Sequence, residues 1–272
     1  MNVMQQTIIT LLSDFGLKDP YVAEMKAVIL CKCPEAKIVD ISHEIDKFNI
    51  RMGAFVLASA APYFPKGTTH VAVVDPGVGT KRRPIIVKTK RSYFVGPDNG
   101  VIMLAALKEG LRHVHVIENP QYMFSRVSKT FHGRDIFAPA AAYLAKGCAA
   151  SEFGKKIEDY VVPNFVKPCF ENNVASGEVL HVDGFGNIIT NISSEILSRL
   201  AIRENDFAKI DIDREATVLK FCSAYGDVSL GEVLAIVGSH DFLEFSVNQG
   251  SAAERFKAKS GDLIRVQRRV HS

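Results

Sequence analysis

Several charged side chains stand at points of the sequence where they could do chemistry together. Asp75 ends an apolar run in "VVDPGVGTKRR" (73–83), which continues through a glycine turn to Arg82. Asp14 ends another apolar run in "TIITLLSDFG", and His132 lies in "KTFHGRDIFAP". A carboxylate, a guanidinium and an imidazole are groups that enzymes use to hold a water molecule and move its proton. Structural explanations are also open, because aspartates cap turns and helices and a histidine beside glycine is often an exposed loop residue.

The glycines after Asp75 do not match a phosphate-binding loop. A Walker loop requires G-x-x-x-x-G-K-[ST], which this stretch lacks. A dinucleotide-binding fingerprint requires three glycines and then a helix, whereas two glycines and the strand-like "RPIIVKT" stand here. An aspartate at the carboxyl end of a parallel strand, as predicted for Asp14, lies where α/β sheets bind ligands. Carboxylates at such places commonly bind both hydroxyls of a ribose.

A second group of polar residues lies in the last third of the chain. "VDGFGNIITN" (182–191) places Asp183, Phe185 and Asn187 around two glycines. "GSHDFLEFSVNQGSAAE" (238–254) places Ser239 and Asn248 on either side of an apolar run. Ordinary β-turns would explain the glycines and would also accept the Asp and Asn residues.

The elements that must position these residues change in type along the chain. From 7 to about 150, β-branched runs such as "TIITLL" and "AKIVDIS" alternate with helical patterns such as "DPYVAEMKAVILCKC", which predicts an α/β layered domain with a mostly parallel sheet. "PIIVKT" and "SYFVGP" predict a hairpin. Beyond the proline-containing stretch near 160–170, short strands separated by turns predict a smaller antiparallel β-barrel. We expect domains at 1–160 and 176–272, with a linker at 161–175.

Composition and charge exclude several classes of protein. A formal charge of +3 on 272 residues, with dispersed basic residues, does not favour nucleic acid as a partner. The apolar runs are too short to span a membrane, and the first residues lack the pattern of a signal peptide. Five cysteines, including the pair Cys31 and Cys33, indicate reduced thiols in a cytoplasmic protein and show no zinc-finger spacing.

Singly, each of these signals is weak, but their order along the chain is specific. The sequence resembles the S-adenosyl-L-methionine (SAM) hydrolases, also called SAM hydroxide adenosyltransferases, which are related to the fluorinase and chlorinase enzymes. The resemblance covers nearly the whole chain. It rests on the motifs "LLSDFGLKDPYV", "VVDPGVGTKRR", "GPDNGV", "TFHGRDIFAPAAAYLA", "VDGFGNIITNI" and "GSHDFLEFSVNQGSAAE". It implies an N-terminal α/β domain, a C-terminal β-barrel and a homotrimer with its sites at the subunit interfaces.

The resemblance also implies a role for each candidate residue. The water-activating triad is Asp75, Arg82 and His132, and Asp14 binds the ribose hydroxyls. In the C-terminal part, Asn187 binds the adenine edge, and Phe185 and Tyr225 wall the nucleoside. Asp183 and Ser239 bind the amino-acid end of methionine, and the backbone near Val247 closes the adenine pocket. His240 departs from the pattern, because the fluorinase has Arg there and the hydrolases often have Tyr or Phe.

These roles imply hydrolysis of SAM at C5′ to adenosine and L-methionine, without a cofactor or a metal. Asp75 and His132 are expected to accept hydrogen bonds from the water, and Arg82 to orient it; which group takes the proton is left open.

Three competing functions are weighed against this one. A halide-dependent adenosyl transferase is disfavoured, because in halogenating relatives Tyr stands for Asp75, Thr for Val78, and a Tyr-Ser pair for His132 and Gly133. The second is a non-catalytic protein that binds SAM or adenosine. The third is a metal-dependent hydrolase that uses Asp14, Asp75 and His132.

Overall fold

A computed structural model describes residues 7–212 and 215–269 of the protein. The chain divides into two compact units, with the division between Pro163 and Asn164. This point falls inside the predicted linker. The end of the predicted linker differs from the prediction, because Cys169–Glu171 and the first residues of Val174–Val182 already form strands of the C-terminal unit.

The N-terminal unit is built on one seven-stranded sheet. Its strands are β1 (Ile8–Ser13), β2 (Lys37–Ser42), β3 (Thr69–Val73), β4 (Pro84–Thr89), β5 (Tyr93–Pro97), β6 (Leu111–Val116) and β7 (Lys156–Ile157). They lie in the order β2-β1-β3-β5-β4-β6-β7. The neighbours from β2 to β5 pair in parallel, whereas β4 is antiparallel to β5 and β6, and β7 is antiparallel to β6. The predicted α/β fold and the predicted hairpin are both confirmed.

The burial of the strands follows their place in the sheet. β1 and β3 are almost wholly buried, as expected for central parallel strands covered on both faces. β2 has the β-branched composition that is typical of buried parallel strands, but it is largely exposed because it lies at the edge of the sheet. In the register of β1 and β3, Ser13 pairs with Val73. Asp14 and Asp75 therefore leave the sheet at the same edge and on neighbouring strands.

Helices cover both faces of this sheet. They are α1 (Tyr21–Lys32), α2 (Ile50–Ala60), α3 (Met103–Lys108) and α4 (Ala138–Ala145). α1 and α4 share one apolar core with residues such as Ile9, Leu11 and Val71 of the sheet. α2 and α3 share the other with residues that include Leu12 and Ala72. A π-helical turn (Gly133–Phe137) precedes α4, and such turns are frequent at functional sites.

The C-terminal unit is a closed β-barrel. Its strands are β8 (Cys169–Glu171), β9 (Val174–Val182), β10 (Ile188–Ser193), β11 (Phe207–Ile212), β12 (Glu215–Phe221), β13 (Val233–Val237), β14 (Phe242–Val247) and β15 (Leu263–Arg268). Seven of them close in the order β10-β14-β13-β12-β11-β15-β9, because β9 also pairs with β10, and β8 adds to β9 outside the ring. All pairs are antiparallel except β12 with β13. The predicted antiparallel barrel is confirmed.

The barrel interior is filled by side chains from alternate positions of its strands. Ile188, Ile210, Phe245 and Ile264 are each completely buried there. Two short helices, α5 (Ser194–Ser198) and α6 (Ala252–Phe256), flank the strands. None of the helices in the described part of the chain is long and apolar enough to cross a membrane.

Candidate active site

A cavity of about 230 Å³ opens in the N-terminal unit, where β1 and β3 end. It is lined by residues of the loops after these strands, of the segment before α2 and of the loop before the π-helical turn. They are Asp14, Phe15, Asp19, Tyr21, Lys47, Phe48, Val73, Asp75, Val78, Thr130, Phe131, His132 and Gly133. Three of the predicted site residues, Asp14, Asp75 and His132, are thus brought to one cavity.

Arg82 joins Asp75 to His132. Its Nε donates to Oδ1 of Asp75 at 2.9 Å, and its Nη2 donates to Oδ2 of the same carboxylate. The same Nη2 lies 2.8 Å from Nδ1 of His132. The side chains of Asp75 and Arg82 are 4% and 10% exposed, so this is a buried, bidentate, charge-assisted pair. The three residues form one connected unit, although Arg82 and His132 lie 50 residues apart in sequence.

This contact determines where His132 carries its proton. A guanidinium has only donors, so Nδ1 of His132 must accept the hydrogen bond from Arg82. The proton of the neutral ring then lies on Nε2, which becomes a donor. Burial and the nearby Arg82 charge lower the pKa of His132, against the opposing effects of Asp75, Asp135 and a hydrogen bond with the backbone of Ser128. The ring is therefore kept neutral, and the sequence-based expectation that His132 accepts a hydrogen bond from water does not fit this tautomer.

Arg82 is not among the described residues that line the cavity. It lies behind Asp75 and His132, with its guanidinium carbon 5.2 Å from the ring centre of Phe137 in the π-helical turn. Its Nη1 is buried and finds no hydrogen-bond partner among the described residues. The arrangement therefore favours a positioning role for Arg82, with Asp75 and His132 as the groups that face the cavity.

Asp14 is held at the other side of the cavity. The residue is 5% exposed, and its Oδ2 accepts a hydrogen bond of 2.9 Å from the backbone N–H of Phe48. Lys47 donates through Nζ to the backbone oxygen of Asp14. Phe48 has a φ of 65°, which is unusual for a bulky residue and marks a constrained backbone. The segment before α2 and the loop after β1 therefore hold each other in place.

Aromatic residues that the sequence did not single out form part of the cavity wall. The rings of Phe15, Tyr21 and Phe131 contact one another, with centres 5.1 to 5.7 Å apart. Phe48 also lines the cavity and is 67% exposed. The segment "IDKFNI" carries no motif for this, so the place of Phe48 could not have been found from spacing. The proximity of Phe15 and Tyr21 to Asp14 in sequence was the one available signal.

Two glycines permit the close packing around His132. Gly79, in the turn after Asp75, has a φ of 75°, and a β-carbon there would overlap the carbonyl oxygen of Lys129. Gly133 is buried, and a β-carbon there would lie 3.0 Å from Sδ of Met25 and 3.0 Å from Cε2 of Phe131. The turn that carries Arg82 and the loop that carries His132 are therefore in direct backbone contact.

A second cavity, of about 600 Å³, lies in the C-terminal unit. Its lining residues are Asp183, Phe185, Asn187, Tyr225, Val247, Asn248, Gln249 and Gly250. Five of the predicted substrate-binding residues are thus brought together. Phe185 is 82% exposed, an unusual state for a phenylalanine at the edge of a pocket.

Two polar contacts shape this second cavity. The carboxylate of Asp183 accepts hydrogen bonds from its own turn, including one of 2.9 Å from Nδ2 of Asn187. The hydroxyl of Tyr225 donates to Oε1 of the buried Glu244 at 2.8 Å. Burial and Glu244 raise the pKa of Tyr225 to about 12. Tyr225 therefore stays protonated and fixed at the cavity wall.

Ser239 and His240 are not placed with these residues. Both are exposed, and neither is among the described residues that line the second cavity. The expected role of Ser239 at the methionine end therefore has no support from the geometry of this unit, and His240 remains a departure from the family pattern. Among residues 7–212 and 215–269, no three His, Cys, Asp or Glu side chains are grouped as a metal ion would require.

The sequence matches two family models. Residues 9–154 match the SAM hydroxide adenosyltransferase N-terminal domain, and residues 177–265 match the C-terminal domain of the same family. The first match contains Asp14, Asp75 and His132, and the second contains Asp183 and Asn187. The two cavities therefore belong to the two parts that define the family.

Individual relatives agree with these matches. The chain is 37% identical over 261 residues to a protein of Salinispora tropica named (R)-S-adenosyl-L-methionine hydrolase, covering 95% of this chain and 97% of the relative. It is 25% identical over 288 residues to a fluorinase of an Actinoplanes species, covering 95% and 97%. A solved structure of an uncharacterized conserved protein from Thermotoga maritima is similar with a TM-score of 0.92 and 42% identity, covering 96% of this chain and all of that one.

Proposed function

Because this chain belongs to the SAM hydroxide adenosyltransferase family, we propose that it is an enzyme that cleaves SAM with water into adenosine and L-methionine. The observation that carries the proposal is the buried unit of Asp75, Arg82 and His132 at the edge of a cavity that also contains Asp14. The 37% identity to a named (R)-SAM hydrolase over nearly both chains supports the same reaction.

In the proposed reaction, the oxygen of a water molecule attacks C5′ of the substrate. The new C5′–O bond forms as the C5′–S bond breaks, and the electron pair of that bond goes to sulfur. The positively charged sulfonium becomes the neutral thioether of methionine, and the water loses one proton. Loss of the proton gives the attacking oxygen the character of hydroxide, and bond formation neutralises this negative charge together with the positive charge of the sulfonium. A buried site with little water strengthens the attraction between these two opposite charges.

The triad residues divide this work. Asp75 accepts a hydrogen bond from the water and withdraws its proton toward the carboxylate. His132, with its proton on Nε2, donates to the water oxygen and stabilises the developing hydroxide. Arg82 acts through the other two, because it binds both of them and lies behind the cavity wall. This assignment differs from the sequence-based one in the role of His132.

The remaining candidate residues bind the substrate in this proposal. Asp14 binds the ribose hydroxyls, and Asn187 binds the adenine edge, with Phe185 and Tyr225 against the nucleoside and Val247 beside the base. We keep Ser239 and Asp183 as candidates for the methionine end on the resemblance alone. The proposal gives His240 no role in binding the substrate.

The assembly and the location are also proposals. The candidate residues are divided between the N-terminal and C-terminal parts of the chain. We propose a homotrimer in which the C-terminal part of one copy completes the site of a neighbouring copy, since head-to-tail contacts commonly close into rings. All five cysteines are free, which supports the expected cytoplasmic location.

A single assay separates this function from the three competing ones. Purified protein is incubated with SAM, with and without a chelator, and with and without fluoride or chloride. We expect adenosine in every arm by chromatography, and no 5′-halogenated nucleoside by mass spectrometry. The carboxylate of Asp75 repels a halide, Val78 has no hydroxyl to donate, and Gly133 has no side chain where halogenating relatives have a serine.

Every contrary outcome identifies one of the competing functions. A halogenated product would indicate a halide-dependent adenosyl transferase, and loss of adenosine with the chelator would indicate a metal-dependent hydrolase. Binding of SAM or adenosine without turnover would indicate a non-catalytic binding protein.

A further inference from the structure

The turn between β9 and β10 is organised by one carboxylate. Oδ1 of Asp183 accepts two backbone hydrogen bonds of 2.9 Å, from the N–H groups of Phe185 and Asn187. Oδ2 accepts a side-chain hydrogen bond of 2.9 Å from Nδ2 of Asn187. The turn is closed further by Asp183 N–H, which donates to the backbone oxygen of Asn187 at 3.1 Å. Both oxygens of the Asp183 carboxylate therefore accept hydrogen bonds from groups of its own turn.

These contacts determine the orientation of the Asn187 amide. An ionised carboxylate only accepts hydrogen bonds, so the amide branch that faces it must be the NH₂ group. The carbonyl oxygen Oδ1 is then the branch turned away from Asp183. Asn187 is only 8% exposed and lines the cavity, so a rotation of its amide by 180° would bury two oxygens against each other. The orientation is thus fixed before any ligand binds.

The fixed amide matches one kind of purine. An adenine offers a donor at its 6-amino group and an acceptor at N7, and an Asn amide meets this edge with its oxygen on the amino group and its NH₂ on N7. The NH₂ of Asn187 has two hydrogens, so it can serve both Asp183 and a base. A 6-oxo purine offers acceptors at both positions and would set its oxygen against Oδ1 of Asn187.

We propose that Asp183 is a positioning residue that, by orienting the Asn187 amide, makes the C-terminal cavity select 6-amino purines over 6-oxo purines. This inference rests on the proposed function, because it takes Asn187 as the contact to the base. It gives Asp183 a role at the base rather than, or in addition to, the amino-acid end of the substrate.

The isosteric substitution D183N makes the inference testable. The new side chain keeps one oxygen for the two backbone N–H groups and presents an NH₂ group where Oδ2 was. Two NH₂ groups would then face each other, and the Asn187 amide relieves this by rotating so that its oxygen accepts and its NH₂ group turns away. The edge presented to the base is reversed, and the preference for an amino group at position 6 should weaken or invert.

The experiment is a calorimetric titration of the full-length protein with adenosine and with inosine. We expect the wild-type protein to prefer adenosine by about tenfold or more, the scale of one well-formed base contact. In D183N the ratio of the two affinities should fall by about the same factor. D206N is the matched control, because Asp206 also accepts a backbone N–H in a barrel turn, from Arg203, and lines neither cavity. It should keep the wild-type ratio.

The outcomes separate this inference from the proposed function. A wild-type protein that binds neither nucleoside contradicts the proposed function, and the inference with it. A wild-type protein that binds both equally, or a D183N protein with the wild-type ratio, contradicts the inference alone. If D183N does not fold, Asn187→Ala serves instead, and it should bind adenosine no better than inosine. If Asp183 only stabilised the fold, D183N would bind both nucleosides more weakly by the same factor, and the ratio of the two affinities would be unchanged.

Discussion

Arg82 and His132 are joined by a contact in which Nη2 of the guanidinium lies 2.8 Å from Nδ1 of the imidazole. Because a guanidinium cannot accept a hydrogen bond, the contact exists only while Nδ1 is unprotonated. Protonation of His132 would set two N–H groups against each other. The same contact that positions the ring therefore makes it sensitive to pH.

We predict that the rate of the proposed hydrolysis falls at acidic pH as His132 becomes protonated. Burial and the Arg82 charge lower the pKa of this ring from its ordinary 6.5, so the neutral form persists at neutral pH and is lost only below about 6.5. The value of kcat/KM should therefore fall as the pH drops below that point. The titration of the ring can be followed directly by NMR.

Arg82→Gln tests the cause of this decrease in rate. Removing the cation removes one of the two effects that lower the pKa, so the His132 titration should move to higher pH. An unchanged NMR titration in this variant would show that the guanidinium does not control the ring. Lys81→Gln, which removes a positive charge at the preceding position, is the matched control.

We predict that Asp75→Asn removes most turnover and leaves adenosine binding nearly intact. The substitution preserves shape but removes the carboxylate that is proposed to accept a hydrogen bond from the water, whereas Asp14 and Asn187 are the residues proposed to bind the nucleoside. The loss should be about a hundredfold or more, as for other acid–base or positioning groups. A turnover assay and a calorimetric titration of adenosine measure the two effects on the same preparation.

The matched control for this prediction is Asp159→Asn. Asp159 pairs with Arg83, the neighbour of Arg82, but it is exposed and lines neither cavity. This control should keep wild-type turnover. Wild-type turnover in Asp75→Asn itself would remove Asp75 from the mechanism.

We predict that two inactive variants restore activity when their chains are mixed. Asp75→Asn damages only the N-terminal half of the site, and Asn187→Ala only the C-terminal half. If each site is shared between copies of a trimer, random mixing by denaturation and refolding leaves about a quarter of the sites with both halves intact. Each variant refolded alone is the control. Mixed trimers, verified by mass spectrometry, that stay as inactive as their parents would show that each site belongs to one chain.

We predict that the buried His70 lowers the free energy of unfolding at acidic pH. The residue is completely buried between the rings of Phe64 and Phe94, and burial lowers its pKa to about 4. The unfolded chain, with an ordinary histidine pKa of about 6.5, binds the proton first as the pH falls. The free energy of unfolding should therefore decrease between about pH 6.5 and about pH 4, by at most about 3 kcal/mol from this group.

His70→Gln tests this stability prediction. Glutamine does not titrate and can still form a hydrogen bond with Thr10, the partner of His70 at 2.8 Å. Urea unfolding at several pH values should show a flatter acidic decrease than in the wild type. His113→Gln, at an exposed histidine of the same sheet, is the control, because it shows how the loss of a surface imidazole changes the pH dependence of the free energy of unfolding. Equal slopes in the wild type and in His70→Gln would contradict the prediction.

The fold and several candidate residues followed from local patterns in the sequence. Strand-ending aspartates such as Asp14 and Asp75 were placed correctly because the carboxyl ends of neighbouring parallel strands meet at one edge of a sheet. The barrel followed from short strands between turn residues. The place of a strand within the sheet was harder to predict from sequence. β2 has the composition of a buried strand, but it lies at the edge of the sheet and is largely exposed.

Other features depend on contacts that no spacing encodes. Phe48 reaches the cavity because its backbone N–H binds Asp14, 34 residues away. The tautomer of His132 depends on its contact with Arg82. The hydrogen bond that the Asp183 carboxylate accepts from Asn187 depends on the geometry of their turn. Ser239 lies in a motif that carries the family resemblance, but it is not among the described residues that line the second cavity. Each of these outcomes is set by tertiary packing.

The contact between Gly79 and the carbonyl oxygen of Lys129 limits how this protein can change over evolutionary time. Any side chain at position 79 would separate the two loops and pull His132 away from Arg82, so a single substitution there would be selected against as long as the reaction matters. A different residue could become established only after the loop around Lys129 had moved. These two distant segments should therefore diversify together, and laboratory libraries that randomise one loop alone will recover few active variants.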